Sequence, residues 1–402
     1  MLRRLWQILP RRCRRWLLDK ATAAFAPAVA MGSPAAAPVC VVGLLSSTVG
    51  MGEGARLCAM ALDRLGHRPL VVDLSAGFQR REKAIPARSN EPLPRGPGTV
   101  IVHLNGDMIS VGLSMLGRRA TAGKRIIGYW AWELSSMPKG WQAGLSCVDE
   151  IWTPSRFSAD AVRPFTTKPV RVVPHPVAVR PPGASRRGHF GIPDECFAVL
   201  VAFHMSSCFA RKNPLAAISA FLAAFGNSPR ALLIVKVSEA SSQPGLMAEL
   251  RQAIGQAPNI RLYEEVLAPA EMQDLIASVD VVLSLHRAEG FGLAMAQAML
   301  AGTAVVATGW SGNLEFMDAW NSESIDCRLV PVVDPQGCYD PDGQAWADPD
   351  VSQAVEALKR LAGDLDYRCL LVEQAKATAE RHLGVDAFQA AVGDALPPVR
   401  SP

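Results

Sequence analysis

A chain of 402 residues is too long for one ordinary hydrophobic core, and at roughly 100–200 residues per domain it implies two domains. Apolar residues make up 49% and charged residues 19%, and with no apolar run of about 18 residues or more this balance excludes an integral membrane protein. A formal net charge of +4, concentrated at the N-terminus, excludes nucleic acid as a partner on charge alone.

The chain opens with "MLRRLWQILPRRCRRWLLDK". Leu2, Leu5, Trp6, Leu9, Cys13, Trp16 and Leu17 fall at helical spacing among arginines, a pattern that suits an anionic membrane surface. A solvated extension is the alternative reading, and Pro10 would kink a helix there. A secretory signal fits less well, because Asp19 and Lys20 interrupt the apolar stretch.

From Val39 the pattern alternates. "VCVVGLL" reads as a buried strand, "SSTVGMGEGA" as a glycine turn, "ARLCAMALDRLGH" as an amphipathic helix and "RPLVVDL" as the next strand. "GTVIVHLN", "KRIIGYWAW", "DEIWTPS" and "VRVVPHPV" continue a parallel sheet. "VRPPGASRRG" is a Pro/Gly-rich linker. A second series follows in strand–helix order: "CFAVLVAFHM", "NPLAAISAFLAAF", "RALLIVKVS", "GLMAELRQAIGQ", "IRLYEEV", "PAEMQDLIASV" and "DVVLSL". The expected organisation is a basic extension and linker over 1–38, a Rossmann-like domain over 39–182, a second over 183–385 and a tail over 386–402.

The nine cysteines are odd in number and scattered, and the seven histidines form no HExxH, so no metal site and a reducing, cytoplasmic setting are expected. "DPD" at Asp340 and Asp348 and "DLD" at Asp364 read as turns and a helix surface rather than metal motifs.

Chemistry concentrates in "HRAEGFGLAMAQAMLAGTAVVATGWSGNLEF", His286 to Phe316. The loop His286–Gly292 follows a strand and precedes a helix, where free N–H groups and the helix dipole favour an anion. Gly290 and Gly292 allow close backbone approach. Glu289 can accept from vicinal hydroxyls, and Gln297 lies two turns along the helix. Solvated-surface readings of both residues stand beside this one. A sugar nucleotide has parts in the matching order: hexose, diphosphate, ribose.

These residues, with "FHMSSCFARKNPLAAISAFLAAF" and "GYWAWELSSMPKGWQAGLSCVDEIWTPSRFSADAV", resemble glycosyltransferase family 4, retaining enzymes of GT-B fold also grouped as glycosyl transferases group 1. The resemblance spans roughly 39–385. It implies an α/β protein of two doubly wound domains with an interdomain cleft, donor in the second domain and acceptor in the first, and a hexose moved without a metal or other cofactor. Glu289, Arg211 and Lys212 would be catalytic, the two cations neutralising the leaving diphosphate. Gly50, Gly52, Gly290, Phe291, Gly292, Leu293 and Gln297 would bind the donor. A glycan or polyprenyl-linked acceptor would be used in surface polysaccharide synthesis, with residues 1–20 placing the protein on the inner face of the plasma membrane.

Two departures from the family stand out. Gln297 occupies its second acidic position, and Trp130 to Glu133 occupy the strand end where some members carry a histidine. Glu133 is the acceptor-side candidate, with Trp130 as a stacking surface; a structural carboxylate and plain aromatic packing are the competing readings. Trp132, Trp141 and Trp152 carry the same ambiguity, and His103 reads as a satisfied buried histidine. A catalytically weakened nucleotide-sugar-binding protein and a sugar-nucleotide epimerase are the rival functions.

Overall fold

The computed structural model describes residues 33–80, 85, 90–339 and 343–399. The basic segment over 1–20 and Asp340 lie outside the described residues. The first sheet holds β1 (Val39–Gly43), β2 (Leu70–Asp73), β3 (Thr99–His103), β4 (Arg125–Tyr129), β5 (Glu150–Thr153) and β6 (Val170–Val172). All are parallel, in the order β2-β1-β3-β4-β5-β6. β1 and β3 are buried along their whole length, as continuous apolar strands covered on both faces should be.

The second sheet holds β7 (Phe197–His204), β8 (Ala231–Ser238), β9 (Ile260–Tyr263), β10 (Val281–Ser284), β11 (Ala304–Thr308) and β12 (Glu323–Ile325). Its order is β12-β11-β10-β7-β8-β9, again parallel. An antiparallel pair, β13 (Cys327–Pro331) and β14 (Ala345–Pro349), follows, and Asp348 lies in β14 rather than in a turn. Asp364 caps the helix Leu365–His382 by accepting from Tyr367 N. No helix among the described residues is long and apolar enough to cross a membrane.

Three expectations change. The glycine turn is shorter than the sequence suggests, because Gly50 already begins the helix Gly50–Arg64. Gly52 and Gly54 are there for backbone packing: a Cβ on Gly52 would lie 2.7 Å from Ser47 O, and one on Gly54 2.5 Å from the His175 ring. The segment expected as a tail instead forms the helix Val385–Val392, with Phe388 and Val392 buried in a core that also contains Val41 and Leu57. It returns to the first domain, where Asp394 pairs with Arg171 at 3.0 Å.

Gly52→Ala should lower the melting temperature even though alanine is the better helix former. A methyl group forced against the carbonyls of Leu44 and Ser47 costs about 1–3 kcal/mol. Unchanged thermal unfolding would contradict this packing.

Candidate functional site

The carboxyl ends of the two sheets face one another across a cleft of about 460 Å³, within the size range of small-molecule sites. Gly50 and Met51 line it from one helix N-terminus, and Leu293 and Ala294 from another. A Cβ on Gly50 would lie only 3.7 Å from Leu293 Cδ1. Two positive helix ends from different domains therefore approach one point, an arrangement suited to an anion.

β7 and β10 are hydrogen-bonded neighbours, so the loops that follow them meet. After β7, Asn213 takes the left-handed conformation (φ 50°, ψ 48°) and Pro214 starts the next helix, which explains the Asn-Pro pair. Arg287 N donates to Arg211 O at 2.7 Å, and Asn213 Nδ2 to Leu285 O at 2.9 Å. This stitching brings Glu289, Lys212 and Arg211 together. Lys212 Nζ donates to Glu289 Oε1, and Arg211 lies 3.2 Å from the same oxygen. Oε2 of Glu289 has no partner among the described residues and remains available to a ligand.

The expected catalytic cations separate into two roles. Arg211 is 3% exposed and donates to Ala288 O at 2.7 Å and Ser207 O at 2.9 Å. Much of its guanidinium braces the loops, although Arg211 also lines the cleft and its Nε has no partner among the described residues. Lys212 has one ammonium hydrogen bond among the described residues, leaving two of its three donors for the cleft.

Gly290 packs against the first domain, where its carbonyl accepts from Ser155 Oγ at 2.7 Å. Gly292 has φ 98° and caps the following helix, and only glycine takes that conformation without strain. Phe291 is buried edge-on to His175 at 5.0 Å, so its main role is packing. The later glycine turn serves this loop: Gly312 N donates to Glu289 O at 2.8 Å, and a Cβ there would meet the same carbonyl at 2.8 Å.

Position 297 reaches across the domains. Gln297 Nε2 donates to Glu53 Oε1 at 3.4 Å, and Glu53 pairs with Arg180 at 2.6 Å and Arg56 at 2.8 Å. The sequence reading missed Glu53. The available signal was its i,i+3 spacing from Arg56 on one helix. Gly52, expected to bind the donor, does not line the cleft, whereas Gly50 does.

On the acceptor side, Glu133 lines the cleft as expected. Burial raises its carboxyl above the ordinary value, Arg211 opposes that shift and Glu289 adds to it. Trp130 is fully buried and packs edge-on to Trp141 at 5.7 Å, so it has no free face for a sugar; Trp132, Trp141 and Trp152 are buried as well. His103, read as a satisfied core residue, instead lines the cleft with Nε2 unpartnered. It stacks on Tyr129 at 4.4 Å, and burial, with His175 nearby, keeps it neutral.

Burial alone would raise the Glu289 carboxyl, but Lys212 and Arg211 more than reverse this, taking it from 4.5 to about 2. A depressed carboxyl adds stability that is complete above its unfolded value and is lost as pH falls through its folded one. Wild type should therefore lose stability relative to Glu289→Gln between pH 4.5 and about 2. Parallel melting-temperature profiles for the two proteins across that window would show that the cluster is not charged as described.

Residues 206–340 match the family model described as glycosyl transferases group 1. Among solved structures, sucrose-phosphate synthase from Thermosynechococcus elongatus is similar over 90% of this chain and 98% of its own, with 14% identity and a TM-score of 0.61. Anabaena HepE, solved in complex with UDP and glucose, matches over 89% of this chain and 98% of its own, at 15% identity and a TM-score of 0.59. WaaG, a glycosyltransferase involved in lipopolysaccharide biosynthesis, matches over 88% and 99%, at 15% identity and a TM-score of 0.58. No curated protein sequence matches the chain. Two parallel six-stranded sheets meeting at this cleft are the GT-B architecture, and the stretch that matches the glycosyl transferases group 1 model is the part of the second domain that carries the Lys212 and Glu289 loops.

Proposed function

We propose that this protein is a retaining hexosyltransferase that uses a nucleoside-diphosphate sugar and a glycan or lipid-linked acceptor. The observation that carries the reading is the division of labour at Glu289. Oε1 is held by two cations, while Oε2 and two Lys212 donors remain for a ligand beside two helix N-termini. In this reading the diphosphate lies between Gly50 and Leu293, and Lys212 meets the charge that grows on the departing phosphate. Leu267, Pro269 and Met272 offer an apolar wall for the base. Gln297 with Glu53 faces the ribose, and Glu289 Oε2 takes hexose hydroxyls.

The acceptor approaches past Glu133, Asn105 and His103, which line the first-domain side. Glu289 Oε2 is assigned to hexose hydroxyls and Glu133 to the acceptor side, so neither serves as a covalent nucleophile in this reading. Front-face attack is then the route, with the acceptor oxygen bonding to the anomeric carbon as the diphosphate leaves with the hydroxyl proton. Cationic side chains supply the charge that a divalent ion provides in other glycosyltransferases. The structural neighbour solved with UDP and glucose supports a sugar-nucleotide ligand. A weakened, donor-binding protein is the second reading, favoured by the engagement of Gln297 with Glu53. Turnover separates it from an enzyme.

A panel of nucleoside-diphosphate sugars should contain at least one that raises thermal stability, by about 2.7 kcal/mol at 100 times its Kd. Transfer should proceed without added magnesium or manganese. Lys212→Ala should lower kcat far more than Gln297→Ala, since only Lys212 meets charge that develops in the transition state. The reverse ranking would overturn these roles.

The N-terminal arginines, each worth about 1 kcal/mol near an anionic leaflet, motivate a membrane-borne acceptor. Deleting residues 1–30 should preserve donor binding and abolish salt-sensitive pelleting with anionic liposomes. Equal pelleting of the truncated and full-length proteins would remove the membrane from the proposal.

A further inference from the structure

The widely separated cysteines exclude a metal-binding motif in sequence, yet the fold brings two of them to one carboxylate. Cys208 Sγ lies 3.2 Å from Asp334 Oδ1, and Cys338 completes a group whose ligand atoms all fall within 4.8 Å of one another. Tetrahedral zinc with two thiolates and one carboxylate needs edges of about 3.5–3.8 Å, from metal bonds of about 2.0–2.3 Å. The three ligand atoms, within 4.8 Å of one another, need only side-chain shifts of about 1 Å to reach one face of that tetrahedron.

The carboxylate is also fixed in advance. Oδ2 of Asp334 accepts from Cys338 N at 2.5 Å and Tyr339 N at 3.1 Å, and Oδ1 accepts from Gln336 N at 2.9 Å. The Cys208 thiol donates to Oδ1 as well, along a direction a cation would take once the thiol gave up its proton. Cys208 holds φ 64°, a conformation uncommon for a residue other than glycine. It is fully buried, whereas Cys338 is exposed at the cleft, which supplies an entry path and an open fourth position for water.

We propose that Cys208, Asp334 and Cys338 form a binding site for a thiophilic divalent cation of the zinc class. The site joins two segments of the cleft wall. Cys208 immediately precedes the short helix Phe209–Lys212, and Cys338 immediately precedes Tyr339, which packs on Trp132 at 5.3 Å. A bound cation would clamp the 334–339 loop to the turn that carries Lys212. It acts on loop position and takes no part in the displacement, so the proposal stands independently of the transfer reaction.

The test is cobalt(II) titration of the reduced full-length chain, without any nucleotide sugar. One equivalent should give visible tetrahedral bands and thiolate-to-cobalt absorption, and zinc should displace it. Cys208→Ser and Cys338→Ser should each lose this binding, while Cys369→Ser, remote from the cluster, keeps it. Should Cys208→Ser fail to fold, the exposed Cys338→Ser decides the question. No thiolate–cobalt absorption, equal absorption in wild type and Cys338→Ser, or a Cys208–Cys338 disulfide in a chain that binds no metal when reduced would each overturn the proposal.

Discussion

The cleft depends on one shared oxygen. Lys212 and Arg211 both reach Oε1 of Glu289, which forces the loops after β7 and β10 into a single surface. Three charges gathered away from bulk water would be costly if any were left unpaired. Here one carboxylate oxygen absorbs two cations, and the guanidinium also donates to two backbone carbonyls. The arrangement leaves a defined excess: one carboxylate oxygen and part of one ammonium, facing the space where two helix ends converge. Everything assigned to the donor is a use of that excess.

The first domain contributes more than a second wall. Ser155 holds the Gly290 carbonyl, Arg156 N donates to Glu315 at 2.7 Å, and Glu53 gathers Arg56, Arg180 and Gln297. A carboxylate thus arrives at position 297 from across the cleft, already paired with two arginines. Its availability is tied to the domains being together, because Glu53 and Gln297 sit on helices of different sheets. His103 adds a neutral polar atom with no partner among the described residues, at the strand next to the one whose end bears Glu133.

Strand and helix positions were legible because buried parallel strands and amphipathic helices write distinct periods into the chain. Glu289 was legible because its loop lies between such a strand and a helix. The sharing of Oε1 was not, since β7 and β10 become neighbours only through a crossover. Gly50, Gly52 and Gly54 read as a turn on composition, yet all three sit in a helix, and two of them are glycine because Ser47 and His175 come too close for any side chain. Trp130 near a strand end looked available to a sugar, and only the packing of Trp141 shows which face it takes. In each case the missing information is a contact between residues far apart in sequence.

The helix Val385–Val392, from the last part of the chain, lies on the domain built from the first part, and its Phe388 shares a core with Val41. On a ribosome, synthesis is vectorial and domains tend to fold as they emerge. This first domain leaves the exit tunnel without the helix that covers it, and must wait for the whole second domain to be made. Until then an apolar patch meant for Phe388 and Val392 faces water, and nascent-chain chaperones have a natural place to bind. Covering that patch waits on the second domain, so a chain stalled within it carries its defect in the domain that was synthesised first.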